Sequence, residues 1–235
     1  ANLVAQTWSR PFEPPESIPA SADVVIIGGG IVGVSTAWFL TKQGVNVVLC
    51  EKGHIAGEQS GRNWGWVRQQ GRDTREMPMI VESLKIWRTL ANAIGEDVGF
   101  KQTGCLYAAR DDDQLERYAA WLPTAEEYGV DTRIISGDEL AQYARGAAVT
   151  WKGGLYTASD GCAEPHKAAP AIARAATRNG ATILTACAVR GLETEAGRVS
   201  AVVTEHGVIK ASVVLCAAGT WSTIFCRSLG ISLPQ

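Results

Sequence analysis

The fold is decided by residues 24–33, which read Val-Val-Ile-Ile-Gly-Gly-Gly-Ile-Val-Gly. The first four side chains are apolar and β-branched, which is typical of a parallel strand buried on both faces. The glycines have the spacing Gly28-x-Gly30-x-x-Gly33, and apolar residues at helical spacing follow as far as Gln43. The stretch therefore predicts a strand, a tight glycine turn and a helix.

A second predicted strand completes this unit. Gly44 stands where a helix commonly ends, and residues 45–50 form another apolar run that closes at Glu51. The glycines permit the tight turn, the close approach of backbone to a pyrophosphate and the packing of the helix on the sheet. The helix N-terminus favours phosphate, and Glu51 can accept a hydrogen bond from a ribose hydroxyl. We expect a site for an ADP moiety; the alternative is a structural glycine turn beside a surface glutamate. The motif alone does not distinguish NAD from FAD.

The composition favours a soluble globular protein. Of 235 residues, 46 % are hydrophobic and 20 % charged, and the formal net charge is −2. Without a Lys/Arg block, neither nucleic acid nor an anionic membrane is expected as a partner. The longest apolar run is broken by the glycine turn, so no membrane span is predicted. Residues 1–22 lack the pattern of a signal peptide and predict an extended arm, and we expect a cytoplasmic protein.

Cysteine and histidine spacing predicts no metal site. The six cysteines form no C-x-x-C pair and predict small buried side chains in a reducing compartment. Ser60 is not in a G-x-S-x-G elbow, which argues against a hydrolase triad. His166, next to a proline, is expected to be structural at the start of a helix rather than a catalytic base, and His54 and His206 are expected to be exposed.

The remaining chain predicts a mixture of helices and strands around a polar loop at 54–73. Helices are predicted over 75–94, 111–128, 137–143 (a capping box at Ser136) and 165–179, and strands over 101–109, 181–184, 187–193, 198–204 and 208–216. The strands after residue 180 are expected to form an antiparallel meander that returns to the core.

Three later stretches carry a resemblance to a known family. Residues 57–73, Gly-Glu-Gln-Ser-Gly-Arg-Asn-Trp-Gly-Trp-Val-Arg-Gln-Gln-Gly-Arg-Asp, resemble the flavin-contacting loop of the D-amino acid oxidase superfamily. Within the superfamily, residues 56–62 are most similar to the bacterial membrane-associated L-amino acid deaminases. Residues 213–222 resemble the late strand and glycine turn that close over FAD, and the meander at 189–211 is similar as well.

The resemblance implies an α/β fold, with a Rossmann-like FAD-binding domain of the glutathione reductase type and part of an antiparallel-sheet substrate domain. It implies FAD-binding segments at 23–75 and 160–235 and a substrate-side segment at 76–159. The glycine unit and the resemblance together give these candidate cofactor-binding residues: Gly28, Gly30, Ile31, Val32, Gly33, Glu51, Lys52, Gln59, Ser60, Gly61, Arg62, Asn63, Trp64, Gly65, Val189, Ala217, Ala218, Gly219 and Trp221.

The loop at 57–73 also offers substrate contacts. Trp64 and Trp66 can wall the isoalloxazine or the substrate, or else pin the loop to the core. Arg68 is the candidate for binding a substrate carboxylate, because its guanidinium offers a bidentate fork; Arg72 and Arg75 are expected to be solvated or structural. Gln69 and Gln70 are expected to be substrate contacts or polar surface residues.

The implied function is FAD-dependent oxidative deamination of an amino acid, slightly favouring the L form, with electrons passed to O2 or a quinone. Secondary-amine or D-amino acid oxidation and a non-catalytic nucleotide-binding module are the alternatives. The superfamily generally runs well beyond 235 residues. We therefore expect a fragment or one piece of a split protein, with a homodimer or the missing C-terminal part as its protein partner and no metal.

Overall fold

The computed structural model describes residues 17–234, and these residues fall into two units. Each unit has its own sheets. Within the described residues, unit 1 contains 17–63, 94–98 and 164–234, and unit 2 contains 64–93 and 99–163.

The described elements are as follows in chain order. The strands are β1 (Val24–Ile27), β2 (Val47–Cys50), β3 (Trp66–Val67), β4 (Cys105–Ala109), β5 (Thr132–Ser136), β6 (Gly153–Thr157), β7 (Gly161–Cys162), β8 (Thr182–Leu184), β9 (Val189–Glu195), β10 (Arg198–Thr204), β11 (Gly207–Lys210) and β12 (Val213–Cys216). The helices are α1 (Ile31–Thr41), α2 (Met77–Ile94), α3 (Asp112–Ala119), α4 (Leu122–Glu127), α5 (Gly137–Tyr143), α6 (Pro165–Arg178) and α7 (Ser222–Ser228).

Unit 1 is built on a four-stranded parallel sheet of order β12-β1-β2-β8. Val24 pairs with both Val47 and Val213, so β1 occupies an inner position. Val25 and Ile26 are completely buried, which confirms the interpretation of the apolar run as a buried parallel strand. Helix α1 connects β1 to β2, and α6 packs against α1. The predicted α/β, Rossmann-like arrangement is confirmed.

An antiparallel sheet of order β11-β10-β9 completes unit 1. Val202 and Ile209 from this sheet share a core cluster with Val25 and Val48 of the parallel sheet. Ile18 packs on the same cluster, and Ser21 bridges Lys210. The rest of the predicted arm, residues 1–16, lies outside the described residues.

Two strand predictions in unit 1 were wrong in their pairing. The run 208–216 is not one strand: β11 ends at Lys210 in the antiparallel sheet, and β12 begins at Val213 in the parallel sheet. The predicted strand at 181–184 is found as β8, but it pairs with β2 and not with the meander. Sheet partners are chosen by long-range packing, which a local hydrophobic pattern does not reveal.

Unit 2 contains a three-stranded antiparallel sheet of order β4-β6-β5 and a two-stranded pair of β3 with β7. Strands β5 and β6 were not predicted, because their polar and glycine residues hide the alternation expected of strands. The helix predicted over 111–128 is wrong: it is two helices, and Pro123 lies in the first turn of the second, where its missing N–H is tolerated. The Ser136 cap is confirmed, since its Oγ accepts from Glu139 N at 3.2 Å.

The cysteines are less buried than predicted. Cys50 and Cys187 lie in the core of unit 1, whereas the other four are half-buried. His54 and His206 are exposed, as predicted, and so is His166 on the first turn of α6. Over residues 17–234, no helix has both the length and the apolar character needed to cross a membrane.

Candidate functional site

The glycine turn of unit 1 is constrained at two positions. Gly28 has a φ of +112°, and a Cβ there would lie 2.4 Å from the carbonyl oxygen of Ala217. A Cβ at Gly33 would lie 2.0 Å from the carbonyl oxygen of Gly28. Both distances are far shorter than a carbon–oxygen contact allows. The turn therefore requires glycine at the first and third motif positions, because β1, α1 and the 217–221 segment meet there with no room for a side chain.

The second motif glycine leaves the N-terminus of α1 open. Gly30 is the N-cap, with an extended backbone and no side chain to bond the first turn. The Ile31 N–H donates to Ser60 Oγ at 2.9 Å, and the first turn contains no acidic residue. Val32, in the same turn, is exposed. The positive end of an 11-residue helix is thus accessible to an anion, as a pyrophosphate requires.

Glu51 is held beside this turn by two backbone bonds. Its Oε2 accepts from Gly29 N and its Oε1 from Gly53 N, both at 2.7 Å. Each carboxylate oxygen can accept a second bond, so the side chain is oriented and still able to receive a ribose hydroxyl. Its place after β2 is the carboxyl edge of the parallel sheet, where open α/β sheets bind ligands. These residues fit the ADP part of a dinucleotide.

The segment 55–63 of unit 1 folds against the same turn. Ala56 N donates to the Gly29 oxygen at 3.0 Å, and a Cβ at Gly61 would lie 2.2 Å from the Ala56 oxygen. Asn63 Nδ2 donates to the backbone oxygens of Gln59 and Ser60 at 3.1 and 2.9 Å. The segment is therefore ordered by its own backbone and by close contact with the glycine turn.

Arg62 is likewise bonded within this segment. Its Nη2 donates to the Gly57 oxygen at 3.0 Å and pairs with Glu58 at 3.0 Å. The structure thus uses the side chains of Arg62 and Asn63 to hold the segment. Direct bonds from either side chain to FAD stay a prediction.

The 217–221 segment reaches the same edge from β12. Ala217 N donates to the Ile27 oxygen at 2.8 Å, and the segment turns at Ala218 and Gly219. The Trp221 ring is 42 % exposed and lies with its centroid 4.1 Å from Lys52 Nζ. Lys52 also bonds Glu58 at 2.7 Å, and this bond lowers the pKa of Glu58.

The loop before β9 is joined to the end of β2. Cys187 N donates to the Glu51 oxygen at 2.8 Å, which places Val189 two residues beyond that bond. Unit 1 therefore brings its candidate cofactor residues to the carboxyl edge of one sheet, although they come from five separate stretches of chain.

The two candidate aromatic residues of the 57–73 loop, Trp64 and Trp66, belong to unit 2. Trp64 is 81 % exposed and Trp66 is 48 % exposed, and their rings meet edge to face at 5.2 Å. Between them, Gly65 has a φ of +71° and its oxygen accepts from Ala163 N at 2.8 Å. The exposure argues against the alternative that both tryptophans pin the loop, because the backbone bond at Gly65 does so.

Arg68 is half-buried beside two aromatic rings. Its Cζ lies 5.3 Å from the Trp66 centroid and 5.7 Å from the Tyr107 centroid, and Nη1 donates to the Gln70 oxygen. Among the described residues, no carboxylate forms an ion pair with it. Arg72 and Arg75 differ, since they pair with Glu76 and Asp73 respectively. Arg68 thus retains donors for an external carboxylate.

A buried polar cluster in unit 2 was missed by sequence reasoning. Asp160 is completely buried and accepts from Gln69 N at 2.8 Å, Gln70 N at 3.0 Å and Gln69 Nε2 at 3.3 Å. Burial raises the pKa of Asp160, and these bonds oppose the rise. Of the two alternatives for Gln69 and Gln70, the polar-surface alternative was wrong, because they are 5 % and 0 % exposed; contact with substrate stays a prediction. Asp160 carried no local signal, since a single aspartate before a glycine is typical of a turn.

Residues 23–235 match the family model described as FAD dependent oxidoreductase (DAO). Mouse (Mus musculus) sarcosine dehydrogenase is 29 % identical over 95 % of this chain and 25 % of its own length. Sarcosine oxidase subunit beta of an Arthrobacter species is 29 % identical over 97 % of this chain and 57 % of its own length. The chain thus spans 25 % of the length of the first relative and 57 % of the length of the second.

Solved structures give the same assignment. L-amino acid deaminase from Proteus myxofaciens matches with a TM-score of 0.89 and 38 % identity, over 93 % of this chain and 50 % of that chain. L-proline dehydrogenase from P. horikoshii matches with a TM-score of 0.87 and 29 % identity, over 92 % of this chain and 58 % of that chain. The resemblance found in the sequence is confirmed, as is FAD as the cofactor of the family. The chain belongs to the DAO family of FAD-dependent oxidoreductases.

Proposed function

We propose that this chain is the FAD-binding part, together with some of the substrate side, of an enzyme that oxidises amino acids. The reaction converts an amino acid and water to an oxo acid and ammonia, and the electron pair passes to O2 or a quinone. In this proposal unit 1 holds the cofactor and unit 2 supplies substrate contacts. The activity is oxidative deamination.

The environment of Arg68 is the main support for this proposal. A half-buried guanidinium beside the Trp66 and Tyr107 rings, without an acidic partner among the described residues, is suited to a carboxylate ligand. Every amino acid carries that group whatever its side chain. Charge-assisted bonds in a partly desolvated site are about twice as strong as neutral ones.

FAD, when bound, supplies the two-electron acceptor. The residues of unit 1 would hold and orient it: the open N-terminus of α1 is suited to the pyrophosphate, and Glu51 could accept a hydrogen bond from a ribose hydroxyl. Arg68 binds the substrate carboxylate, which fixes the orientation of the carbon to be oxidised.

L-amino acids are the favoured substrates. This rests on the similarity of residues 56–62 to L-amino acid deaminases and on the 38 % identity with the Proteus myxofaciens enzyme. Spectroscopy of the purified chain tests the proposal. We expect an absorbance band at about 450 nm from bound flavin, and we expect L-amino acids to bleach this band when oxygen is absent. A flavin band that no amino acid or amine bleaches would leave only a nucleotide-binding module.

Oxidation of a secondary amine is the second candidate function. Relatives named for sarcosine match nearly the whole chain at 29 % identity. Sarcosine also carries a carboxylate, so Arg68 does not separate the two candidates. The same bleaching assay does separate them. Faster flavin reduction by sarcosine or proline than by primary L-amino acids would indicate a secondary-amine oxidising enzyme. Faster reduction by D-amino acids would indicate a D-amino acid oxidising enzyme.

A further inference from the structure

The buried cluster around Asp160 leads directly to the arginine of the proposed substrate site. The two oxygens of Asp160 accept the consecutive N–H groups of Gln69 and Gln70, at 2.8 and 3.0 Å. The oxygen of the same Gln70 accepts from Arg68 Nη1. A continuous set of hydrogen bonds within unit 2 thus runs from the Asp160 carboxylate through one backbone segment to the guanidinium.

The chemistry of this contact favours a carboxylate over any other side chain. Two neighbouring backbone donors require two acceptor oxygens, and an ionised Asp presents both without a competing donor. Asn would turn an NH2 group towards one of the two N–H groups. Burial raises the pKa of Asp160 and so disfavours its ionised form, whereas the hydrogen bonds from Gln69 and Gln70 favour that form. These bonds therefore compensate for placing a carboxylate in the interior.

The side chain of Gln70 does not account for the position of this segment by itself. Its Oε1 accepts from Thr157 Oγ1 at 2.8 Å, but its Nε2 is buried and has no partner among the described residues. A buried amide with an unpaired donor is costly. The backbone bonds to Asp160 fix the backbone of residues 69 and 70 directly, and thereby the position of the Gln70 oxygen that Arg68 contacts.

We propose that Asp160 is a positioning residue for Arg68, which it holds beside Trp66 and Tyr107, oriented for a substrate carboxylate, through the Gln69–Gln70 backbone. The role for the substrate rests on the proposed function; the positioning of Arg68 does not. Asp160 itself does not touch substrate in this proposal. An arginine side chain has many rotamers, so fixing one of them lowers the entropy lost on binding.

The first test observes Arg68 without any substrate. The side-chain N–H signals of Arg68 in the NMR spectrum of the full chain should carry ring-current shifts from Trp66 and Tyr107, whose centroids lie 5.3 and 5.7 Å from its Cζ. In Asp160→Asn these signals should move towards those of a mobile arginine. The matched control is Asp112→Asn, because Asp112 is an exposed carboxylate of unit 2 that pairs with Lys152 and not with the Asp160 cluster. Unchanged Arg68 signals in folded Asp160→Asn would overturn the proposal.

The second test measures whether Asp160 acts through Arg68. Benzoate is the probe, since it carries a carboxylate and no amine, and calorimetry on the flavin-loaded chain gives its Kd. We expect Asp160→Asn and Arg68→Met each to raise the Kd by about tenfold or more. The double variant should bind no more weakly than Arg68→Met alone. Additive losses would show that Asp160 acts independently of Arg68 and would also overturn the proposal.

The outcomes separate this inference from the proposed function. If Arg68→Met leaves the benzoate Kd unchanged, Arg68 is not the carboxylate site, while the NMR signals still decide whether Asp160 positions it. If Asp160→Asn does not fold, hydrogen exchange on the unaltered chain decides. The Gln69 and Gln70 amide protons must be strongly protected, and fast exchange at either would refute the bonds to Asp160.

Discussion

Replacing Gly30 by alanine should weaken FAD binding while leaving unit 1 folded. The backbone at Gly30 is extended, with φ −76° and ψ 177°, which alanine adopts without strain. The added Cβ would lie 3.1 Å from Ser60 Oγ, so Ser60 must shift by a few tenths of an ångström. A shift of Ser60 would weaken the hydrogen bond from Ile31 N to Ser60 Oγ, and the added methyl group would hinder the approach of the pyrophosphate to the helix N-terminus. One neutral bond and one charge-assisted bond amount to about 2–3 kcal/mol, or roughly thirtyfold or more in Kd.

The assay is a flavin fluorescence titration of the apoprotein, with a thermal melt in the absence of FAD as the measure of folding. Gly44→Ala is the matched control. Gly44 has a φ of +77° with open space around it, so alanine there should cost about 1–2 kcal/mol of stability and leave FAD affinity unchanged. If Gly30→Ala bound FAD as tightly as the unaltered chain, the assignment of the pyrophosphate to this helix end would be refuted.

Other outcomes follow from single side chains. Glu51→Gln should weaken FAD binding by about tenfold in the same titration. The two oxygens of Glu51 accept the N–H groups of Gly29 and Gly53, and in Gln an NH2 group replaces one of these acceptors. Equal affinity would exclude a contact between Glu51 and the ribose. Glu96 lies between two arginines of α6; burial raises its pKa, but the arginine bonds outweigh burial and lower it overall. The stabilisation from ionised Glu96 is therefore present above the ordinary glutamate pKa and is lost as pH falls through the lowered pKa. In urea unfolding, Glu96→Gln should be about 1 kcal/mol less stable at neutral pH. Its free energy of unfolding should also depend less on pH in the acid range. Leu155→Ala, at a position 1 % exposed, should cost about 2–5 kcal/mol by urea unfolding, and a cost below 1 would contradict the packing of unit 2. Cys50 and Cys187 should resist iodoacetamide in the native chain and react only on unfolding, as mass spectrometry of labelled peptides would record.

The cofactor edge could be predicted from sequence because its constraints are local. The glycine spacing, the strand before it and Glu51 lie within residues 24–51, and the steric requirement at Gly28 and Gly33 is a property of one turn. The family resemblance supplied the more distant 217–221 segment. Helices with clear start signals, such as α5 after Ser136 and α6 from Pro165, were predictable for the same local reason.

The rest depended on partners far away in the chain. Nothing in residues 208–216 indicates that Val213 leaves one sheet for another, because both halves of the run are apolar. The burial of Gln70 and Asp160 arises from a bond across 90 residues, and polar residues in a glycine-rich loop predict the opposite. Arg68 was identifiable by residue type, but its aromatic neighbour Tyr107 comes from a strand beyond α2.

The inner position of β1 has a consequence for biosynthesis. One neighbour strand begins at Val47, while the other begins at Val213, near the opposite end of this sequence. At about 5–20 residues per second, a ribosome reaches that second strand roughly 10–40 s after it has made β1. Throughout this interval one edge of an entirely apolar strand lacks its native partner, and such an edge can pair with another chain. We therefore expect the unpaired edge of β1 to favour aggregation until β12 has been made.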